Sequence, residues 1–156
     1  MPLISRTFIK AGMIFFALSL ITSLLIEVNI SALPGLIPLF WHMLMVGWIT
    51  QIIFGVSIWM FPGRNRDEGF KAQLWGWLTF IFLNTGLILR VISEPMSGVA
   101  ATGVWNILLV LSAILQVLAV STYIIEMWPR IMSKKQQREK RKRQRNRKKK
   151  EERGSK

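Results

Sequence analysis

Four long stretches without a formal charge dominate this chain: Ala11–Ile26, Leu36–Phe61, Ala72–Leu89 and Pro95–Ile125. A helix needs ~20 residues to cross a hydrocarbon core of ~30 Å. The second and fourth stretches reach that length outright. The first does so once Phe8–Lys10 and Glu27 are taken as snorkelling ends, and the third by running past Arg90. Backbone amides have no water partner in lipid, and the stretches lack the strict alternation of a membrane barrel, so helices are expected. The expected fold is an all-α polytopic membrane protein, a four-transmembrane-helix bundle. Its helices fall near 8–28, 37–61, 72–92 and 101–128. Pro34, Pro62, Pro95 and Pro129 then lie between or after spans, and Pro38 sits in the first turn of the second. The first span also resembles a signal peptide, with its basic start and apolar middle. That middle is long for one, and no clear A-x-A site follows, so a retained helix is the reading adopted.

Charge divides the chain into a transmembrane domain, 1–129, and a basic tail, 130–156, expected to be disordered or an extended helix. The tail holds 15 of the 21 Lys and Arg but only 3 of the 8 acidic residues. Positive charge prefers the cytoplasmic side. Arg6 and Lys10, then Arg64, Arg66 and Lys71, then the tail, place both termini in the cytoplasm of a cell-membrane protein. Trp41 and Trp105 fall at the expected outer ends. Trp59, Trp75, Trp77 and Trp128 fall at the inner ones, where amphipathic rings settle, and Trp48 lies well inside.

The same composition excludes much chemistry. With no Cys there is no disulfide, thiolate nucleophile or iron–sulfur cluster, and one His cannot build a multi-His metal site. The short polar connections leave no room for a soluble catalytic domain. No complete catalytic constellation is present.

Apolarity alone does not associate helices in lipid; small and polar residues do. Gly12, Ser19 and Ser23 share a face of the first helix, and Gly47, Gln51 and Gly55 a face of the second. Thr79, Asn84, Thr85 and Gly86 lie on the third, and Trp105, Ser112, Gln116, Ala119 and Tyr123 on one face of the fourth. These stripes read as the inner faces of the bundle. Alternatively, Gln51, Asn84, Asn106 and Gln116 line a cofactor or solute pocket.

His42 lies about one turn inside the outer end of the second helix. A neutral imidazole can donate from one ring nitrogen and ligate a metal through the other. It also serves as a hydrogen-bonded or headgroup-facing side chain. Its face continues through Met45, Val46, Ile49, Ile53, Val56 and Met60, apolar enough to cover a porphyrin, with the glycine stripe opposite.

The pattern His42-x-x-Met45-Val46, then Gly55, then Trp59-Met60-Phe61-Pro62 resembles the second transmembrane helix of haem–copper oxidase catalytic subunits and their nitric-oxide-handling relatives. The likeness spans His42 to Pro62. It departs from the family at Met43, where a Gly is usual, in keeping only Gly55 of several glycines, and in a shorter His-to-Pro spacing. The resemblance implies that His42 is an axial ligand of a haem near the outer side. The family's other ligand histidines have no counterpart, so a complete oxidase is excluded. What it leaves is a module binding haem b for electron transfer, haem sensing or an oxidase-accessory role. The sixth ligand would be His42 of a second copy in a homodimer, Met96, or a His from a larger membrane complex. Arg90 is the outer cation for the propionates, although it also stands at i, i+4 from Glu94.

Lys134–Lys150 is mostly Lys and Arg, with Glu139 as its one acid and no apolar residue. Such a segment cannot fold on a core of its own. It suits anionic lipid headgroups, each basic residue contributing roughly 1 kcal/mol near the surface. Ribosome or RNA contact is the alternative, non-specific because no aromatic follows Trp128. The competing functional class is therefore a non-catalytic membrane scaffold or assembly factor. A transporter ranks third, since Glu27 and Glu126 both stand near span ends.

Overall fold

The computed structural model describes residues 1–28, 35–61, 71–97 and 103–131, with the side chains of 71–73 and 129 excepted, and the tail positions 139, 142, 143, 145 and 146. It contains four helices long and apolar enough to span a membrane. They are α1 (Leu3–Glu27), α2 (Leu36–Met60), α3 (Lys71–Ser97) and α4 (Gly103–Met127). A short 3-10 turn, Trp128–Arg130, follows α4. No strand occurs among the described residues. Pro34, Pro62, Arg64, Arg66 and most of the basic run lie outside them. The five described tail residues are helical and exposed.

Two limits differ from the sequence expectation. α1 begins at Leu3 rather than near Phe8, because Arg6 and Lys10 point away from the bundle and charge on that side does not end a helix. α3 runs through Pro95 to Ser97, so Pro95 is inside a helix and not between spans. With no N–H, Pro95 leaves the Val91 carbonyl without its helical donor, and the helix ends two residues later at Ser97.

Contacts fix an antiparallel, up-and-down order. Gly55 packs on Ser5 and Phe8, and Gly47 on Phe15, so α1 and α2 run oppositely. Gly86 meets Ser112 and Gln116 while Thr79 meets Thr122, so α3 and α4 do too. His42 meets Glu94 and Gln51 meets Asn84, which opposes α2 and α3. Leu3 and Met127 therefore sit at the same end. The middle helices α2 and α3 each bury 33% of their spans, against 22% for α1 and 17% for α4, which places α1 and α4 on the flanks. Outward faces such as Met13, Ile14, Ile21 and Leu24 of α1, or Ile107, Val110, Ile114 and Val117 of α4, are apolar and exposed, as lipid would require.

The seam has a regular period. In α1 the buried residues Ser5, Phe8, Gly12, Phe15, Ser19 and Thr22 alternate three and four apart, the spacing of left-handed helix packing. α2 departs from this. Its segment Met43–Thr50 is π-helical, and the Thr50 hydroxyl donates to the Met45 carbonyl five residues back. Leu39, Met43, Gly47 and Gln51 are buried at constant steps of four. Wider turns cancel the drift that steps of four accumulate on an α-helix, and so keep the glycine stripe on α1.

An aromatic node joins all four helices. Phe8 of α1 meets the edges of Phe54 of α2 and Phe80 of α3, at centroid distances of 6.2 and 5.1 Å. Phe54 stacks on Tyr123 of α4, rings 8° from parallel. The Ser57 hydroxyl donates to the Phe54 carbonyl, so the Tyr123 hydroxyl must donate to Ser57, 2.8 Å away. The predicted faces of α1, α2 and α4 are on this seam. On α3, Thr79 and Gly86 are buried and Asn84 half-buried, but Thr85 points outward, one residue too far round.

Candidate functional site

Most of the charge within the bundle gathers at two places, one at each end. At the end shared by Leu36 and Ser97, three elements bring His42, Arg90, Glu94 and Ser112 together. Just before α2 stands Gly35, whose Cα lies hard against the Glu94 backbone, so that a Cβ there would collide with the Glu94 carbonyl oxygen. This close approach sets α2 beside the last turns of α3 and carries His42 to Glu94. Arg90 and Glu94, four apart on α3, face the same way. Ser112 enters from α4.

The contacts form a chain. His42 Nδ1 is 2.8 Å from the Pro38 carbonyl oxygen and 3.3 Å from Glu94 Oε1. Arg90 Nη1 donates to the same Oε1 at 3.2 Å, and Arg90 Nε to Ser112 Oγ at 3.3 Å. Ser112 donates to the Gly86 carbonyl at 2.7 Å and also accepts from Gln116 Nε2. One donor and two lone pairs exhaust a hydroxyl, so Ser112 is fully satisfied. The Glu94 side chain is 8% exposed, Arg90 15% and His42 30%. The buried Glu94 Oε2 has no hydrogen-bond partner among the described residues.

This geometry assigns the imidazole tautomer. A carbonyl oxygen only accepts, so Nδ1 carries the proton that reaches Pro38. In the neutral ring the lone pair is then on Nε2, which makes no hydrogen bond among the described residues. That is the form of a metal-ligating histidine whose other nitrogen donates to a carbonyl or carboxylate. No group of three or more His, Asp or Glu able to hold a bare metal ion exists among the described residues.

Of the residues singled out by sequence, His42 and Arg90 come together through their common partner Glu94. Met96 is 39% exposed and takes no part in the cluster's hydrogen bonds. The four amides do not line one pocket. Gln51 Nε2 donates to Asn84 Oδ1 at 3.1 Å, Gln116 joins Ser112, and Asn106 is exposed. Of the proposed porphyrin-covering face, Met45, Ile49, Ile53 and Met60 are exposed, whereas Val46 packs on the core. Sequence reasoning missed Glu94 as the hub. It saw Arg90 beside it, but the approach of His42 crosses from α2 to α3 and has no local signal.

The opposite end holds Glu126 and Arg130, an i, i+4 pair with side chains 1% and 8% exposed. Arg130 donates from Nη2 to Glu126 Oε1 and reaches the Ile58 carbonyl with Nη1 at 3.5 Å. Ile58 is in the last turn of α2, where carbonyls lack helical partners, so Arg130 caps that helix from the 3-10 turn after α4.

No family model, no curated protein and no solved structure matches this chain.

Proposed function

We propose that this protein is a multi-pass cell-membrane module with both termini cytoplasmic, and that it binds haem b through Nε2 of His42. It serves electron transfer, haem sensing or an oxidase-accessory role and is not a complete oxidase. The observation that carries this reading is the hydrogen bond from Nδ1 to the Pro38 carbonyl, which in the neutral ring puts the lone pair on Nε2. The donor set fits one axial position. The exposed Met45, Ile49 and Ile53 below His42 offer the porphyrin an apolar wall, and lipid excludes water from its other side. Arg90 spends two donors on Glu94 and Ser112, and its Nη2 remains to meet a propionate. A second donor to the iron would come from His42 of a second copy, from Met96 or from a partner's histidine. The bound group supplies one-electron exchange; the chain supplies its anchorage and orientation.

The test is an absorption spectrum of detergent-purified protein after titration with haemin. Wild type should develop a Soret band with bound-haem shape, and His42→Ala should lose at least nine-tenths of it. Identical spectra for the two proteins would end the haem reading.

A second reading, a scaffold or assembly factor, draws on the Glu94 cluster being satisfied largely within the fold, and on the exposed, positively charged tail positions Lys142, Arg143 and Arg145. It expects His42→Ala to leave function intact. Removal of residues 134–156 should cut binding to vesicles containing anionic lipid more than tenfold at low salt, with the loss shrinking as salt screens the charge. Equal binding with and without the tail would rule out lipid anchoring by it.

A further inference from the structure

We propose that Glu94, steadied by Arg90, is the positioning residue that sets the donor strength of His42. The inference rests on the haem reading for its redox consequence, and on geometry alone for its consequence in the haem-free protein.

The Pro38 carbonyl settles which ring nitrogen bears the proton, but it is neutral. Glu94 Oε1, 3.3 Å from the same Nδ1, brings a carboxylate to the site. Negative charge that close to the ring pushes electron density toward Nε2 and strengthens it as a donor to a metal. Such a carboxylate must be kept from wandering. Arg90 does so from the same helix, one turn away, and is itself fixed by Ser112 on α4. Gly35 holds the Glu94 backbone against the start of α2. Every element around the cluster therefore bears on one contact. Among the described residues the titratable groups facing it are His42 from α2 and Arg90 and Glu94 from α3, and α4 contributes the neutral Ser112 and Gln116. Negative charge behind the ligand favours the more positive oxidation state of an iron on Nε2. Ferric iron is thus bound more tightly than ferrous, and the midpoint potential is drawn down.

The single histidine makes the test unambiguous, since labelling histidine with nitrogen-15 reports one ring only. The full-length protein is compared with Glu94→Gln, Glu94→Asp, Arg90→Gln and Arg90→Lys at one fixed pH. In the haem-free wild type the two ring resonances should show Nδ1 protonated. In Glu94→Gln the tautomer should persist while the Nδ1 resonance moves toward that of a ring bonded to a neutral acceptor. With haemin as probe, Glu94→Gln should weaken ferric binding about 10–100-fold and shift the midpoint upward. Arg90→Gln, which leaves the carboxylate's charge less neutralised, should shift the midpoint the opposite way, and Arg90→Lys should keep it near wild type. Should Glu94→Gln lose its helical circular dichroism, Glu94→Asp, which keeps the charge but withdraws it, is the variant read.

Ring resonances, ferric affinity and midpoint all unchanged by loss of the carboxylate would overturn the inference and leave the haem reading standing. A wild type that takes up no haemin overturns both.

Discussion

Replacing Arg130 with methionine is expected to cost the folded bundle roughly 3–5 kcal/mol. Methionine keeps most of the stem's volume, so the loss is electrostatic and not a cavity. It strips the guanidinium from Glu126, a carboxylate 1% exposed, and uncaps the Ile58 carbonyl at the end of α2. Removing one member of a buried pair weakens the compensation of its partner's charge, whereas removing both relieves the burden. Arg130→Met combined with Glu126→Gln should therefore recover most of the stability, a coupling that only contacting residues show. Unfolding in mixed micelles of rising SDS fraction, followed by circular dichroism, measures Arg130→Met, Glu126→Gln and the double variant. Costs of the two single changes that simply add in the double variant would show that the pair is not coupled.

Gly35→Ala is the second large effect. The new Cβ would collide with the Glu94 carbonyl oxygen and fall 2.6 Å from its carbonyl carbon. Both are backbone atoms and cannot swing aside, so the start of α2 or the last turn of α3 must move. The cost should reach the top of the ~1–3 kcal/mol usual for overpacking. The displacement separates His42 from Glu94, so Gly35→Ala should also reproduce the ring shift of Glu94→Gln. Gly103 is the control: a Cβ there meets nothing within 4 Å. Its alanine variant should match wild type in the same SDS titration.

The four spans are legible in the sequence because formal charge is scarce inside them, and length then leaves only helices. The seam is legible too at Gly12, Ser19, Gly47, Gln51, Gly55, Ser112 and Ala119, all buried, because small and polar residues have little other use inside a membrane helix. Helix limits are less so. Arg6 and Pro95 resemble stops, yet an outward cation and a last-turn proline both fit a continuing helix. The π-helical Met43–Thr50 carries no sequence mark, since the wider turn is stabilised by packing of Gly47 on Phe15 and by the Thr50 hydroxyl. The His42 cluster was half legible. The i, i+4 spacing joins Arg90 to Glu94, but only the antiparallel pairing of α2 and α3 delivers the imidazole to them.

The polar moorings of α4 are unevenly placed. Ser112, Gln116, Thr122, Tyr123 and Glu126 tie down its later turns, while before Ser112 only Trp105, Leu108 and Leu109 are even half-buried. α4 is thus a cantilever, clamped where it leads into the tail and compliant at its start. A pull on the tail is resisted at Arg130, so force from that side is borne by α2 before it can disturb the imidazole at the far end.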